Sequence, residues 1–270
     1  MRIGLSSYTF PWTLGLAGQE PNPEFTVDTL IDYAAELGAG VVQLADLASV
    51  TQATNAQLSA WRTHATEVNI SLEVGMRGIR ELEISANLRV CEALGAPLLR
   101  TVIDREDDRP ALDEARRLLT DRIPTLAAAG VRLAVENHDR VPAVDLAQLL
   151  ANLDSYWIGS CLDTVNSLAV PEDPSTVVRA LAPHVINLHA KDFTVRRANA
   201  DLGFRVEGTP LGEGSLNLPQ LIGALGGPQA EISVIIESWL PAQPSAREAW
   251  RTERRWADAS VSYLREVLVA

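Results

Sequence analysis

One short phrase recurs along this 270-residue chain: the end of a helical pattern, a glycine, and then a short apolar strand. It is found around Gly38, Gly95 and Gly130, and the first of these leads into Val41-Val42-Gln43-Leu44. Glycine adopts the left-handed conformation that closes the C-terminal end of a helix without steric cost. Because buried strands that alternate with helices are typical of parallel sheets, the phrase predicts a parallel α/β architecture.

Eight segments of the chain have the pattern of such strands, at a spacing of roughly 30 residues that suits an eight-fold barrel. The predicted strands are residues 2–7, 41–45, 70–74, 97–103, 131–136, 158–163, 185–190 and 232–237. The predicted helices are residues 26–37, 55–68, 79–94, 110–128, 142–152, 174–182, 216–225 and 245–268. We therefore predict a single (β/α)8 TIM barrel over residues 1–270. An open doubly wound sheet is the alternative, but the glycine-rich loop it usually carries after its first strand is missing here.

The composition excludes several classes of protein. The formal net charge is −12, which disfavours binding to nucleic acid or to anionic membranes. No apolar run reaches the roughly 18–20 residues of a transmembrane helix, and residues 1–10 lack the features of a signal peptide. The two cysteines have neither disulfide-framework nor zinc-knuckle spacing. We expect a cytoplasmic protein.

Four consecutive predicted strands end in residues that can bind a metal ion, namely Glu136, Asp163, His189 and Glu237. Side chains alternate along a strand, so each of these residues points inward if its apolar neighbour points toward the helices. The layer beneath is predicted to be mostly small or apolar, and consists of Ala134, Cys161, Asn187 and Ile235. This pattern predicts a polar cluster above a packed floor, at the end of the barrel where TIM-barrel enzymes have their active sites.

Three carboxylates that point at one axis repel one another unless a cation or bound protons compensate their charge. A divalent ion would do this, and three carboxylates with one imidazole suit Mn²⁺, Mg²⁺, Co²⁺ or Zn²⁺. We predict one divalent metal ion at this site and favour Mn²⁺.

The motifs around these residues resemble those of the sugar phosphate isomerase/epimerase family. This is the xylose-isomerase-like barrel group, which includes ketose 3-epimerases, hydroxypyruvate isomerases and inosose dehydratases. The motifs are Leu133–His138, Leu162–Asn166, His189–Asp192, Gly212–Gly214 and Ile236–Ser238. The resemblance covers nearly the whole chain. It is specific for the fold and the metal site, but poorly specific for the substrate.

The resemblance implies that Glu136, Asp163, His189 and Glu237 are the metal ligands, and that Glu136 and Glu237 are also the catalytic acid/base pair. The implied function is that of a metal-dependent isomerase or epimerase of sugars or keto-sugars, which abstracts a proton next to a carbonyl through a metal-stabilised enediolate. The alternative for the same barrel and metal site is a lyase, such as a dehydratase of a keto-sugar or keto-inositol. The substrate is expected to be a small sugar or polyol.

Six further residues are predicted to contact the substrate: Arg100, Trp12, His138, Asn166, Lys191 and Glu213. Asn166 departs from the family, because ketose 3-epimerases usually have a histidine at that position. An amide can still hydrogen-bond a sugar hydroxyl but cannot become cationic, which weakens the ketose 3-epimerase assignment. Structural roles remain open alternatives, namely an ion pair for Arg100, a rim position for His138 and a turn for Glu213.

Two more distant functions are consistent with the barrel. The first is a phosphodiesterase like the abasic-site endonucleases, which is disfavoured because the chain is acidic and has only four histidines. The second is a non-catalytic binding barrel, which would not need Glu136 and Glu237 on opposite sides of a metal. The final helix, with Trp250 and Trp256, is either a homo-oligomer interface or part of the barrel packing.

Overall fold

A computed structural model describes residues 1–198 and 202–269 of the chain. Its strands are β1 (Arg2–Ser6), β2 (Val41–Ala45), β3 (Ser71–Arg77), β4 (Leu98–Val102), β5 (Arg132–Glu136), β6 (Ile158–Asp163), β7 (Val185–Ala190), β8 (Asp192–Arg197), β9 (Phe204–Thr209) and β10 (Ser233–Ile236). Its helices are α1 (Val27–Glu36), α2 (Ala48–Thr51), α3 (Asn55–Glu67), α4 (Glu81–Leu94), α5 (Leu112–Ala129), α6 (Ala143–Leu153), α7 (Pro174–Leu181), α8 (Leu218–Ala224) and α9 (Ala246–Val269).

Eight parallel strands close into a barrel in the order β1-β10-β7-β6-β5-β4-β3-β2. Each corresponds to one of the eight predicted strands, so the predicted (β/α)8 barrel is confirmed. The glycines of the repeated phrase have the expected role, since Gly95 and Gly130 end α4 and α5 in the left-handed conformation, with φ of 68° and 66°. None of the described helices is both long and apolar enough to span a bilayer.

The segment after β7 differs from the sequence analysis, which identified no strand there. β8 and β9 form an antiparallel hairpin outside the barrel. Its base is held by Asp192, whose carboxylate accepts the backbone N–H groups of Phe193, Gly212, Gly214 and Leu216. Glu213 is therefore part of an exposed turn that returns the chain to α8.

The floor of the barrel is more polar than the sequence pattern predicts. Ala134 and Cys161 are buried there as expected, but Gln43 and Glu73 are buried beside Asn187 and exchange hydrogen bonds with it. The prediction considered only the last four strands, whose floor residues Ala134, Cys161, Asn187 and Ile235 are all buried. Strands β2 and β3 contribute their inward residues to the same layer on the opposite side of the barrel.

Aromatic residues join the final helix to the first part of the chain. The ring of Trp250 in α9 lies 4.8 Å from that of Phe25 and 5.9 Å from that of Phe10, between ring centroids. Tyr33 in α1 packs against the same cluster. Trp250 therefore contributes to packing within the chain, and the loop between β1 and α1 is fixed at the C-terminal end of the barrel.

Candidate active site

The four predicted ligands meet at the carboxyl ends of adjacent strands. Asp163 pairs with His189 across β6 and β7, and the N–H of Glu237 donates to Ala190 O at the end of β7. Glu136 ends β5 one strand away. All four side chains are buried, and none of the four residues is more than 5% exposed. Their roles as ligands remain a prediction, but the proximity that those roles require is present.

His189 lies at the centre of this cluster. Its Nδ1 is 3.1 Å from Glu136 Oε2 and 3.3 Å from Glu237 Oε1. Nδ1 of His189 is buried and has no hydrogen-bond partner among the described residues, although two carboxylates lie beside it. Buried polar atoms are nearly always satisfied, so an unsatisfied nitrogen that faces carboxylate oxygens is what a metal ligand would present.

The Asp163 carboxylate is oriented by its own backbone. Its Oδ1 accepts the N–H groups of Val165 and Asn166, both at 2.8 Å. The Asn137 side chain accepts the N–H of Asp163 at 2.7 Å and donates to its carbonyl oxygen at 2.9 Å. These bonds occupy Oδ1 and fix the strand end, which leaves Oδ2 directed toward the cluster.

Lys191 adds a buried cation to the site. Its ammonium lies 2.8 Å from Asp163 Oδ2 and 3.0 Å from Glu237 Oε2. Burial lowers the pKa of Lys191, but the carboxylates of Asp163 and Glu237 outweigh it and raise that pKa above its ordinary value. Thr164 holds the Lys191 backbone by accepting its N–H and donating to its carbonyl oxygen. Lys191 is therefore charged and fixed in place.

Arg100 supplies a second buried cation. Its guanidinium donates to Glu136 Oε2, while Asn166 Nδ2 donates to Glu136 Oε1 at 2.7 Å. Burial by itself would raise the pKa of the Glu136 carboxyl, but Arg100 and His189 hold that pKa well below its ordinary value. Gly75 lets β3 lie close to β2, because a Cβ atom there would lie 2.5 Å from Ala45 Cβ.

We expect Arg100→Met to lower the free energy of unfolding of the metal-free protein by about 3–5 kcal/mol, because it leaves Glu136 buried without its guanidinium partner. Urea unfolding followed by circular dichroism measures this. The matched control is Arg77→Met, since Arg77 pairs with Asp46 at 3.2 Å but its side chain is 41% exposed. That control is expected to cost at most about 1 kcal/mol. Equal costs for the two variants would contradict the prediction.

The donor set fits a divalent ion. Carboxylate oxygens from Glu136, Asp163 and Glu237 with one imidazole nitrogen are ligands that Mn²⁺, Mg²⁺, Co²⁺ and Zn²⁺ accept. Ligand atoms of Asp163, His189 and Glu237 lie within 4.8 Å of one another. Cys161 is also near Glu136 and His189, but burial raises the pKa of its thiol well above the ordinary value, and its Sγ donates to Asn187 Oδ1. Metal ions bind the thiolate, so Cys161 does not suit this role.

A pocket of about 390 Å³ opens above the cluster, a size typical of small-molecule sites. Five of the six predicted substrate contacts line it: Arg100, Trp12, His138, Asn166 and Lys191. Glu213 is not among the lining residues, because the turn held by Asp192 leaves it exposed outside the pocket. The pocket has an apolar wall made by Pro11, Trp12, Leu16, Trp239 and Leu240.

Trp12 is held in that wall from two sides. Its indole Nε1 donates to Leu240 O at 2.7 Å, and its backbone N–H donates to Glu253 Oε1 at 2.7 Å. Glu253 on α9 also accepts two hydrogen bonds from Thr13, although burial raises the pKa of its carboxyl to about 6. The loop after β1 is therefore a fixed wall of the pocket.

Sequence reasoning missed several polar residues at the site. One of them is Tyr8, which lines the pocket with its hydroxyl 2.8 Å from Asp46 Oδ2. Arg77 also lines the pocket and pairs with Asp46, and its place just after the third predicted strand is compatible with both roles. Gln43 and Glu73 lie one layer deeper. The available signal was a single polar residue inside each of two otherwise apolar strands, as in Val41-Val42-Gln43-Leu44 and Leu72-Glu73-Val74.

Comparison with known proteins gives both a family and relatives. Residues 82–260 match the family described as xylose isomerase-like TIM barrel. A protein of Pectobacterium atrosepticum named 3-oxo-isoapionate decarboxylase is 34% identical over 264 residues, which cover 98% of this chain and 95% of that protein.

Solved structures show the same fold at low sequence identity. A D-psicose 3-epimerase, crystallised in the presence of D-fructose, has a TM-score of 0.74 and 12% identity, with 100% of each chain covered. A xylose isomerase-like TIM-barrel protein from Mycobacterium smegmatis, in complex with magnesium, has a TM-score of 0.67 and 16% identity, with 97% of each chain covered.

Proposed function

Because this chain belongs to the xylose isomerase-like TIM-barrel family, we propose that it is a divalent-metal-dependent lyase that removes CO₂ from a 3-oxo sugar acid. The relative at 34% identity supports the reaction type, since its name specifies both a 3-oxo acid and a decarboxylase. The proposal departs from the isomerase or epimerase that the sequence motifs favoured. It retains the expected class of substrate, a small keto-sugar derivative.

The net charge of the site is the main reason to propose an anionic substrate. At the level of the pocket, three carboxylates face the two buried cations Arg100 and Lys191, which leaves one net negative charge. A divalent ion would change this to one net positive charge. Glu73 lies one layer deeper, where three side chains donate hydrogen bonds to it. A neutral sugar would leave the positive charge uncompensated, whereas the carboxylate of a sugar acid compensates it.

Glu136, Asp163, His189 and Glu237 would hold the metal ion. When bound, the ion would act as a Lewis acid that stabilises negative charge on a substrate carbonyl oxygen. Lys191 and Arg100 attract the substrate carboxylate and orient it. The apolar wall around Trp12 suits departure of CO₂, which is uncharged, and keeps water away from the reacting carbon.

In the reaction, the bond between the carboxylate carbon and its neighbour breaks, and the electron pair passes toward the 3-oxo group to form an enolate. CO₂ leaves, and the carbon takes up one proton. Glu237 lines the pocket, so its carboxylate can take a proton from solvent at the open end of the pocket and pass it to the carbon. Lys191, whose Nζ lies 3.0 Å from Glu237 Oε2, keeps its charge and holds that carboxylate in place.

The test is to incubate the protein and Mn²⁺ with 3-oxo-isoapionate in D₂O. The expected result is release of one CO₂ per turnover and one solvent deuteron on the carbon that carried the carboxylate, measured by infrared absorption of CO₂ and by NMR. A neutral ketose such as D-fructose is the control substrate and is expected to remain unchanged. No CO₂ from the acid, together with deuterium incorporation at carbon 3 of the ketose, would refute the proposal.

That contrary outcome corresponds to the second candidate, a ketose epimerase. One observation favours it: Glu136 and Glu237 both line the pocket, and their oxygens lie 3.1 and 3.3 Å from the same His189 nitrogen. Two such carboxylates suit removal of a proton on one side and return on the other. Its weakness is that a neutral ketose has no anionic group to balance the net positive charge that a divalent ion would give the site.

A further inference from the structure

A buried carboxylate in the barrel floor is not used by the proposed reaction. Glu73 on β3 is 1% exposed, and no cation of the described residues pairs with it. Its Oε1 accepts from Ser233 Oγ at 2.6 Å, and its Oε2 accepts from Gln43 Nε2 at 3.0 Å and Asn187 Nδ2 at 3.1 Å. Burying a carboxylate costs free energy that packing of an apolar residue would not, so this network calls for a role beyond filling space.

The network reaches the proposed metal site through Gln43. The Oε1 atom of Gln43 lies 2.8 Å from Nε2 of His189. The NH₂ group of Gln43 faces Glu73, because its Nε2 donates to Glu73 Oε2 at 3.0 Å and to Asn187 Oδ1 at 3.2 Å. This leaves the amide oxygen of Gln43 facing His189. Since that oxygen can also only accept, Nε2 of His189 must carry a hydrogen.

The other ring nitrogen is then available as a ligand. With hydrogen on Nε2, a neutral His189 has its lone pair on Nδ1. Nδ1 is the atom that faces Glu136 and Glu237 and lacks a hydrogen-bond partner within the described part of the chain. We propose that Glu73 and Gln43 are positioning residues, which fix the tautomer and orientation of His189 so that Nδ1 binds the metal ion. This inference rests on the metal site proposed above.

The hydrogen bonds of Gln43 fix the orientation of its amide group. If the amide were turned around, its oxygen would face the Glu73 carboxylate and its NH₂ group would face His189, so donor and acceptor would be exchanged in both contacts. Asn187 reinforces the observed direction, because it donates to Glu73 and accepts from Gln43 at 3.2 Å. Partners of this kind typically change metal affinity by about 10–100-fold when they are removed.

Nitrogen NMR measures the tautomer directly. The full-length protein is labelled with ¹⁵N-histidine, which gives four ring systems to assign, and the ring nitrogens are followed as the pH is raised until the ring loses its charge. In the unaltered protein we expect hydrogen on His189 Nε2 and an unprotonated Nδ1. In Gln43→Leu, the acceptor at Nε2 is lost and we expect hydrogen to appear on Nδ1, beside the carboxylates.

Metal affinity is the second measurement, with Mn²⁺ alone as the probe and free Mn²⁺ followed by electron paramagnetic resonance. We expect the Kd to rise about 10–100-fold in Gln43→Leu. Glu73→Gln should retain most of the affinity, because its amide oxygen can still accept from Gln43. Thr101→Val is the matched control, a buried hydroxyl on β4 that bonds only backbone oxygens and should change neither readout.

Gln43→Leu removes a hydrogen-bond donor from the buried Glu73 carboxylate and could unfold the protein. In that case the double variant Gln43→Leu/Glu73→Gln is measured instead, because it no longer buries that carboxylate. Unchanged His189 nitrogen shifts and an unchanged Mn²⁺ Kd in a folded Gln43→Leu protein would overturn the positioning role. Failure of the unaltered protein to bind Mn²⁺, Mg²⁺, Co²⁺ or Zn²⁺ would overturn the proposed metal site instead. The two proposals therefore fail in distinguishable ways.

Discussion

Replacement of Glu237 by glutamine is expected to reduce kcat for decarboxylation by about 10²–10⁴-fold. Glutamine has nearly the same shape but cannot take up a proton from solvent at the open pocket and pass it to the substrate carbon. The fold should be retained, because Ser6 Oγ, which donates to Glu237 Oε1 at 3.0 Å, can donate equally to an amide oxygen. Single-turnover CO₂ release at saturating substrate and Mn²⁺ is the measurement.

The matched control for this variant is Glu231→Gln. Glu231 is an exposed glutamate just before β10, whereas Glu237 follows the other end of that strand. The chemical change is the same in both variants. It should leave kcat unchanged. Mn²⁺ affinity is measured for both variants, so that loss of the metal is separated from loss of proton transfer. Full activity in a metal-loaded Glu237→Gln protein would show that Glu237 does not transfer the proton.

Removal of divalent ions is expected to reduce turnover by on the order of 10³-fold, which corresponds to about 4 kcal/mol of transition-state stabilisation. The reason is that the buried cations Arg100 and Lys191 already pair with Glu136, Asp163 and Glu237, so the metal ion would supply the net positive charge that stabilises an oxyanion. The protein is dialysed against a chelator and assayed before and after each ion is added back. We expect Mn²⁺ to restore the highest rate, with Mg²⁺, Co²⁺ or Zn²⁺ as the other candidates.

The same titration has a readout that does not depend on activity. A ligand that binds only the folded state stabilises it by about 2.7 kcal/mol at 100 times its Kd. The thermal midpoint of the chelator-treated protein should therefore rise when the metal is added. Asp163→Asn should abolish most of that rise, because it removes the charge of a carboxylate whose ligand atom lies within 4.8 Å of those of His189 and Glu237. An undiminished turnover rate in protein shown to contain no metal would contradict this prediction.

The sequence determined the eight barrel strands and the helices between them, but not the short helix α2 or the strands β8 and β9. Local signals were sufficient for the barrel, namely the glycine at the end of a helix and the apolar run that follows it. Helix α7, for example, begins at Pro174 and ends at Leu181, close to its predicted limits. The sequence also placed Glu136, Asp163, His189 and Glu237 at strand ends, because position along a strand is a local property.

Only the tertiary structure decided which side chains meet across the barrel. Gln43 bonds His189 although 146 positions separate them, and Glu73 bonds Asn187 across 114 positions. Such pairs depend on how far each strand is shifted against its neighbours when the sheet closes, and no local pattern specifies that shift. Closure of the barrel also brings Arg100 into contact with Glu136, and Lys191 into contact with Asp163 and Glu237. The predicted metal ligands thus followed from single strands, whereas the charge balance that favours an acidic substrate depends on contacts between several strands.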